Sequence, residues 1–309
     1  MLSYAKIISR AYHSALHYPQ LWFFGLFVVG AFNLNFLHFQ NLPLRRLLQT
    51  GRPQEFAWYF QSHPGVLAAA SAAVLLFAFV ALVVTNWSRL MLIVLGQAAL
   101  EGKPLQIIKA ARESLLGLGV FIKISLLTSG FMLFAAMALF VPAYWLPIAE
   151  SFRVYLIEVG VLIFLPLAFT VSCINIFTSF YAVLYRLGLG KALNLGTDFF
   201  ASRWSQILGL VAILIVIYLA GFIAGVALIF ITREIFQLIF EVFLRFHILP
   251  LSAIIFMLKL VSGTLFWFLL SGLSVFFNQA LLVLFLELSK PLNAAEAQKS
   301  QVVVPAATV

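Results

Sequence analysis

Gly65 to Trp87 reads GVLAAASAAVLLFAFVALVVTNW, twenty-three residues without a formal charge. A helix crossing the ~30 Å hydrocarbon core of a bilayer needs about 20 such residues, because nothing in hydrocarbon satisfies an open backbone. The stretch reads as a spanning helix, and five more runs of this kind lie around it. Upstream, no charge occurs between Arg10 and Arg45, with an apolar centre from Leu21 to Phe39. Downstream come Ile124 to Ala149, Val159 to Tyr185, Ser205 to Thr232 and Leu260 to Leu286. Lys6 and Arg10 before the first run could pass for a signal peptide. The run is too long for one and lacks a clear small-residue cleavage site, so an uncleaved first helix is expected.

Composition agrees. Of 309 residues, 64% are hydrophobic and 9% charged, where soluble chains carry about 25% charge. Mean hydropathy is +1.09. The 33 Phe are more than one water-soluble core hides. These values exclude a disordered chain. A single cysteine, Cys173, excludes an intrachain disulfide scaffold. The formal charge of +9 would suggest nucleic acid in a soluble protein, but here the basic residues flank apolar runs and fix orientation against anionic lipid. The fold class expected is all-α integral membrane, with no nucleic-acid partner.

Six spans put both termini on one side. Eleven Lys and Arg fall on that side and seven on the other, Lys123 completing the 19. Positive charge collects inside, so both termini are expected in the cytoplasm.

An internal repeat organises the chain. Lys103-Pro104-Leu105, Lys191-Ala192-Leu193 and Lys290-Pro291-Leu292 each follow a long apolar segment. Setting Lys6 against Gln106 aligns Ile7-Ile8 with Ile107-Ile108, Ala11 with Ala111, Ser14 with Ser114 and Leu16 with Leu116. A third copy aligns Leu195 with Ile107 and Ser202 with Ser114. The expected layout is three tandem helical hairpins, each preceded by a cytoplasmic amphipathic helix in the headgroup layer. They cover 1–102, 103–190 and 191–289 within a single membrane domain, with Lys103, Lys191 and Lys290 at the cytoplasmic interface and 290–309 a disordered tail. The alignment sets Lys123 opposite Phe23, so its ammonium is expected to snorkel.

Two segments lie on the other side. Arg233, Gln237, Glu241 and Arg245 recur every fourth residue among apolar neighbours, which predicts an outer interfacial helix near 233–247, stopped by Pro250. A straight continuation of the fifth span is the alternative. The loop from Gln40 to Pro64 mixes Arg45, Arg46 and Arg52 with Trp58 and Tyr59, an interface-seeking set.

Chemistry is sparse. His13 and His17 have metal-ligand spacing, but Ser14 stands where a zinc protease needs Glu and no third ligand is evident. Gly188-Leu189-Gly190-Lys191 imitates a phosphate loop, with Tyr185 and Ala192 where Gly and Ser or Thr belong. Asp198 is the only Asp. No catalytic, cofactor or metal residue is assigned, and no cofactor is expected.

Polar residues inside spans carry more weight. Each returning span holds one Asn before its Lys mark: Asn86, Asn175 and Asn278. They are either interhelical glue or a polar substrate site near the midplane. Glu158 and Lys259 each precede an uncharged run from the same outer face, and either pair or snorkel separately. Pro166 should kink the fourth span.

Tyr18-Pro19 followed by Leu21-Trp22-Phe23-Phe24-Gly25-Leu26, with the later Gly-Lys-Pro-Leu and Gly-Lys-Ala-Leu connectors, resembles poorly characterised bacterial polytopic membrane families. Among these is the membrane domain found beside some glycerophosphodiester phosphodiesterases. The resemblance implies a hairpin-repeat plan and a bacterial cytoplasmic membrane. It does not carry over the phosphodiesterase activity.

Two functions follow. One is a non-catalytic membrane protein that organises membrane lipids or a membrane protein complex. The other is a small transporter or channel with a polar site among the spans, which the same-direction repeats favour less than inverted ones would. An intramembrane lipid enzyme stands behind both.

Overall fold

The computed structural model describes residues 3–29, 64–145, 149–246 and 251–302, without the side chains of 67, 70, 144, 233, 236, 238–260, 262 and 290–302. These residues are nearly all helical and contain no strand. Seven helices follow in order: α1 Tyr4–His17, α2 Gln20–Val29, α3 Pro64–Leu100, α4 Ile107–Trp145, α5 Glu150–Leu184, α6 Leu189–Phe246 and α7 Leu251–Val302. Five of them, α3 to α7, contain segments long and apolar enough to cross a membrane. In α3 every described side chain from 71 to 80 is exposed, Leu75 and Phe79 among them. A water-soluble monomer does not leave so long an apolar surface bare. The chain is an all-α, multi-pass membrane protein.

The amphipathic starts differ from expectation in one respect. Only the first is a separate helix, because Pro19 supplies no amide to continue α1 and the Tyr18 N–H closes the last turn on Ser14 O at 3.3 Å. Nothing comparable stands between 107 and 124 or between 189 and 205, so α4 and α6 each run unbroken from basic start into apolar span. The outer helix near 233–247 is likewise not a separate element. Residues 233–246 prolong α6, since no Gly or Pro interrupts the chain after Thr232, and residue 247 lies outside the described residues. At 1.5 Å per residue the 58 residues of α6 run about 87 Å, so much of the helix lies beyond ~30 Å of hydrocarbon. The composition of 290–309 suggests disorder, yet α7 continues to Val302, consistent with the helix formers Ala294, Ala295, Glu296, Ala297 and Gln298. The short apolar helix α2 falls within the first expected span, and the rest of that run, with the Gln40 to Pro64 loop, lies largely outside the described residues.

The chain forms two compact units. The first holds Met1–Tyr18, Leu90–Leu214 and Phe276–Val309. In it α1 buries Ile7, Ala11, Ser14 and Ala15, one stripe at helical spacing. The Tyr4 hydroxyl donates to Gln206 O at 3.4 Å, and Arg10 pairs with Glu287 at 3.1 Å. Helices α4 and α5 run back along each other. Phe140 meets Phe164 at one end, ring centroids 5.8 Å apart, and Glu113 meets Arg186 at the other, 4.0 Å apart. The core of this unit is aromatic. The Phe285 ring touches those of Phe177, Phe180, Tyr181, Tyr185 and Phe199, with centroids 4.9 to 6.4 Å away.

The second unit holds Pro19–Arg89 and Ile215–Val275. Here α2 packs on α7 through small residues. The Ser271 hydroxyl donates to Trp22 O, Gly25 lies against Ser271, and the Trp22 ring sits 5.1 Å from Phe268. Thr85 of α3 donates to Phe27 O at 3.4 Å. Gly221 and Gly225 of α6 lie against Leu273 and Leu269 of α7. Small residues let helices approach closely where lipid supplies no hydrophobic push between them.

Candidate functional site

The best-defined concavity in the first unit starts from a helix end. After α3 the chain closes on itself: the Gly102 N–H donates to Ala99 O at 3.2 Å and the Lys103 N–H to Ala98 O at 2.9 Å. Those two bonds, with Gly102 at φ +69°, make a Schellman cap. Only glycine adopts that backbone cheaply, since a Cβ there costs about 1–2 kcal/mol. The cap presents Lys103 beside Glu101, Nζ to carboxylate 2.5 Å, while Gln97 donates to Glu101 at 2.8 Å. The hydrogen bond from Lys103 chiefly holds the Glu101 carboxyl below its ordinary value; burial opposes it, and Gln97 and the Lys103 charge add to the lowering. A depressed folded value means that the pair's contribution is present above the usual carboxylate range, about pH 4.3, and is lost as pH falls through the lowered value. Wild-type protein should therefore lose more melting temperature between pH 7 and pH 3 than Glu101→Gln, by a small margin because the pair is exposed.

Helix α4 then begins, bringing Lys109, Arg112 and Glu113 round in its first two turns. Helix α5 ends at Leu184, and Arg186, two residues on, is held at φ +52°. The αL position that glycine takes after α3 is here taken by a charged residue whose guanidinium faces Glu113. Two adjoining spaces result, sharing Val94 and Glu113 as walls. The outer one, about 360 Å³, is bordered by Gln97, Glu101, Lys103, Gln106 and Lys109. The inner one, about 210 Å³, runs between Leu90, Leu116, Val120, Phe121, Val183 and Leu187. Ser114 is the hydroxyl on its wall, and it is engaged with Ala111 O at 2.9 Å and Met91 Sδ at 3.3 Å. A polar, charged mouth leads into an apolar interior, an arrangement that suits an amphiphile.

The Asn residues are distributed differently. Asn86 belongs to the second unit, is buried, and donates to Leu82 O of its own helix at 2.8 Å. Asn175 and Asn278 belong to the first unit and are half-buried, with Asn175 O accepting from Ser179 at 2.7 Å. Neither unit contains all three. A buried amide of the first unit is instead Gln279, one residue past Asn278, fully enclosed and without a hydrogen-bond partner at either polar atom among the described residues. It lies against Gly96 of α3, whose missing side chain makes its space. Reading one Asn per span passed over it, although Asn278-Gln279 stands in an otherwise apolar run. A buried amide without partners costs about 1–3 kcal/mol. Gln279→Met, similar in shape and apolar, should raise the melting temperature of the detergent-solubilised protein, and a fall would contradict this.

Glu158 is exposed on α5; the side chain of Lys259, and with it the suggested pair, lies outside the described residues. Lys103 and Lys191 are exposed, and the side chain of Lys290 is not described. Lys123 is exposed on α4. His13 and His17 stack at 5.3 Å between centroids on the exposed side of α1. Thr178, buried and unpartnered at its hydroxyl, lies against Gly196.

Comparison of the chain with protein families, with curated proteins and with solved structures returns no match.

Proposed function

We propose that this chain is a non-catalytic integral membrane protein of a bacterial cytoplasmic membrane that organises lipids or a membrane protein complex. In this reading six spans form three tandem hairpins, with both termini and the Lys103, Lys191 and Lys290 joints in the cytoplasm. The observation that carries it is the two-part cleft of the first unit, with charged groups at its rim and aliphatic and aromatic walls within. The bare apolar faces of the long helices and the basic starts of α4 and α6 support the same reading, since such surfaces hold anionic lipid at the headgroup level. The distant resemblance to bacterial polytopic families fits it as well.

The test is affinity purification of the full chain from native membrane, followed by mass spectrometry of protein and lipid. A stoichiometric partner or an enriched lipid class is expected. Neither, together with solute uptake by reconstituted proteoliposomes, would replace this reading with the transporter. Gln279 is the observation favouring that second reading, as a polar group enclosed among apolar helices.

A further inference from the structure

We propose that the cleft between α3, α4 and α5 binds one anionic glycerophospholipid, its phosphate at Lys103, Lys109 and Arg186 and one acyl chain in the inner space. The inference rests on the lipid-organising reading and names the ligand and the place.

Charge selects the headgroup. Lys103 and Lys109 border the outer space and Arg186 the adjoining inner one, against two carboxylates, Glu101 and Glu113, the second of which lines both. Lys103 and Arg186 face those carboxylates, while Lys109 has no ion-pair partner among the described residues. The first turn of α4 also opens on this rim, and the partial positive charge of a helix start favours an anion.

Polarity and depth select the chain. The inner walls are aliphatic and aromatic apart from Ser114, already engaged, and the Glu113 and Arg186 pair at the entrance. Leu90 lies ten residues before the end of α3, so the apolar wall reaches about 15 Å along the axis from the rim.

Access selects a membrane ligand. Leu116, a wall of the inner space, is 84% exposed, so the space is flanked by surface that faces lipid and a chain enters sideways from the bilayer. Gly117 lines the same space, and a Cβ added there meets only Leu90 Cδ2, at 3.9 Å. A larger side chain at this position fills the cleft without displacing backbone.

The experiment uses the full chain, purified in neutral detergent, with lipid binding read by native mass spectrometry. The probes are palmitoyl-oleoyl phosphatidylglycerol and phosphatidylcholine. Phosphatidylglycerol should bind more tightly to wild type. Lys109→Gln combined with Arg186→Gln should weaken it about thirtyfold, each interfacial charge counting for about a factor of five, and weaken phosphatidylcholine much less, because its choline cation offsets its phosphate. Gly117→Leu should weaken both lipids at least about tenfold, and Gly117→Ala neither, which separates a plugged cleft from a misfolded one. Glycerol 3-phosphate should not compete. Competition by it would assign the rim to a soluble phosphate and overturn the proposal, as would unchanged lipid binding in both Gly117→Leu and the double variant. If both variants bind as wild type yet lipids or a partner still copurify from native membrane, this cleft is refuted and the organising role stands.

Discussion

Phe285→Ala is expected to cost the first unit about 3 kcal/mol. Phe285 is fully buried within α7 and holds five other rings around it, from α5, its cap residue Tyr185 and α6. Truncating a buried Phe in a soluble core costs about 3–5 kcal/mol, part of it transfer from water and part the cavity left behind. Where the alternative surroundings are lipid, the transfer part shrinks, which puts the loss at the low end. The contact part remains, because rings ordered against Phe285 lose their partner outright. Thermal or denaturant unfolding of the purified protein measures it. Phe285→Leu should recover more than half of the loss, and a cost for Phe285→Ala below about 1 kcal/mol would mean that the rings are not a cooperative core.

Gly196→Ala should cost about 2–3 kcal/mol or more for a different reason. Near the start of α6, a Cβ at Gly196 would sit 2.7 Å from the backbone nitrogen of Thr178 and 2.9 Å from its Cα. Backbone of a helix interior cannot turn aside, so α5 and α6 would have to separate, and overpacking of this kind costs about 1–3 kcal/mol before contacts are lost along the pair. Gly209→Ala is the control. Its added methyl would meet the hydroxyl of Tyr4 at 2.7 Å, the free end of a side chain that can rotate. It should cost less than about 1 kcal/mol, mainly the weak bond to Gln206. Equal melting temperatures for the two variants would show that the α5–α6 contact is not as close as described.

The apolar helices were legible because membrane insertion reads a one-dimensional property. A run such as Gly65 to Trp87 announces itself by length and absence of charge, whatever packs on it. Where a helix stops is less legible. Arg233 to Arg245 has the stripe of an interfacial helix, but a stripe shows which side is polar and not whether the backbone breaks before it. A proline or a capping glycine marks such a break, as Pro19 does after α1 and Gly102 after α3, while α5 ends before Arg186 with neither. The polar residues divide in the same way. Asn86, Asn175 and Asn278 stand out by type, whereas the enclosed amide, Gln279, is set apart from its neighbour only by which way the helix turns. The cleft was not visible in the sequence, since its walls come from three separated stretches. Of its rim, Lys103 was singled out as a joint between repeats, while Glu113 and Arg186 meet across 73 residues.

The closed turn after α3 bears on how anything would pass that rim. With the amides of Glu101, Gly102 and Lys103 all bonded back to the helix, at 2.9 to 3.2 Å, the joint has no slack and cannot swing as a latch. Admission is left to side chains, to the Lys103 arm and the Leu116 flank, which change rotamer in picoseconds to nanoseconds, whereas lids and hinged domains take microseconds or longer. If the cleft takes lipid as proposed, a doorway built this way stands ajar, and its occupancy should follow the composition of the surrounding leaflet with no conformational delay.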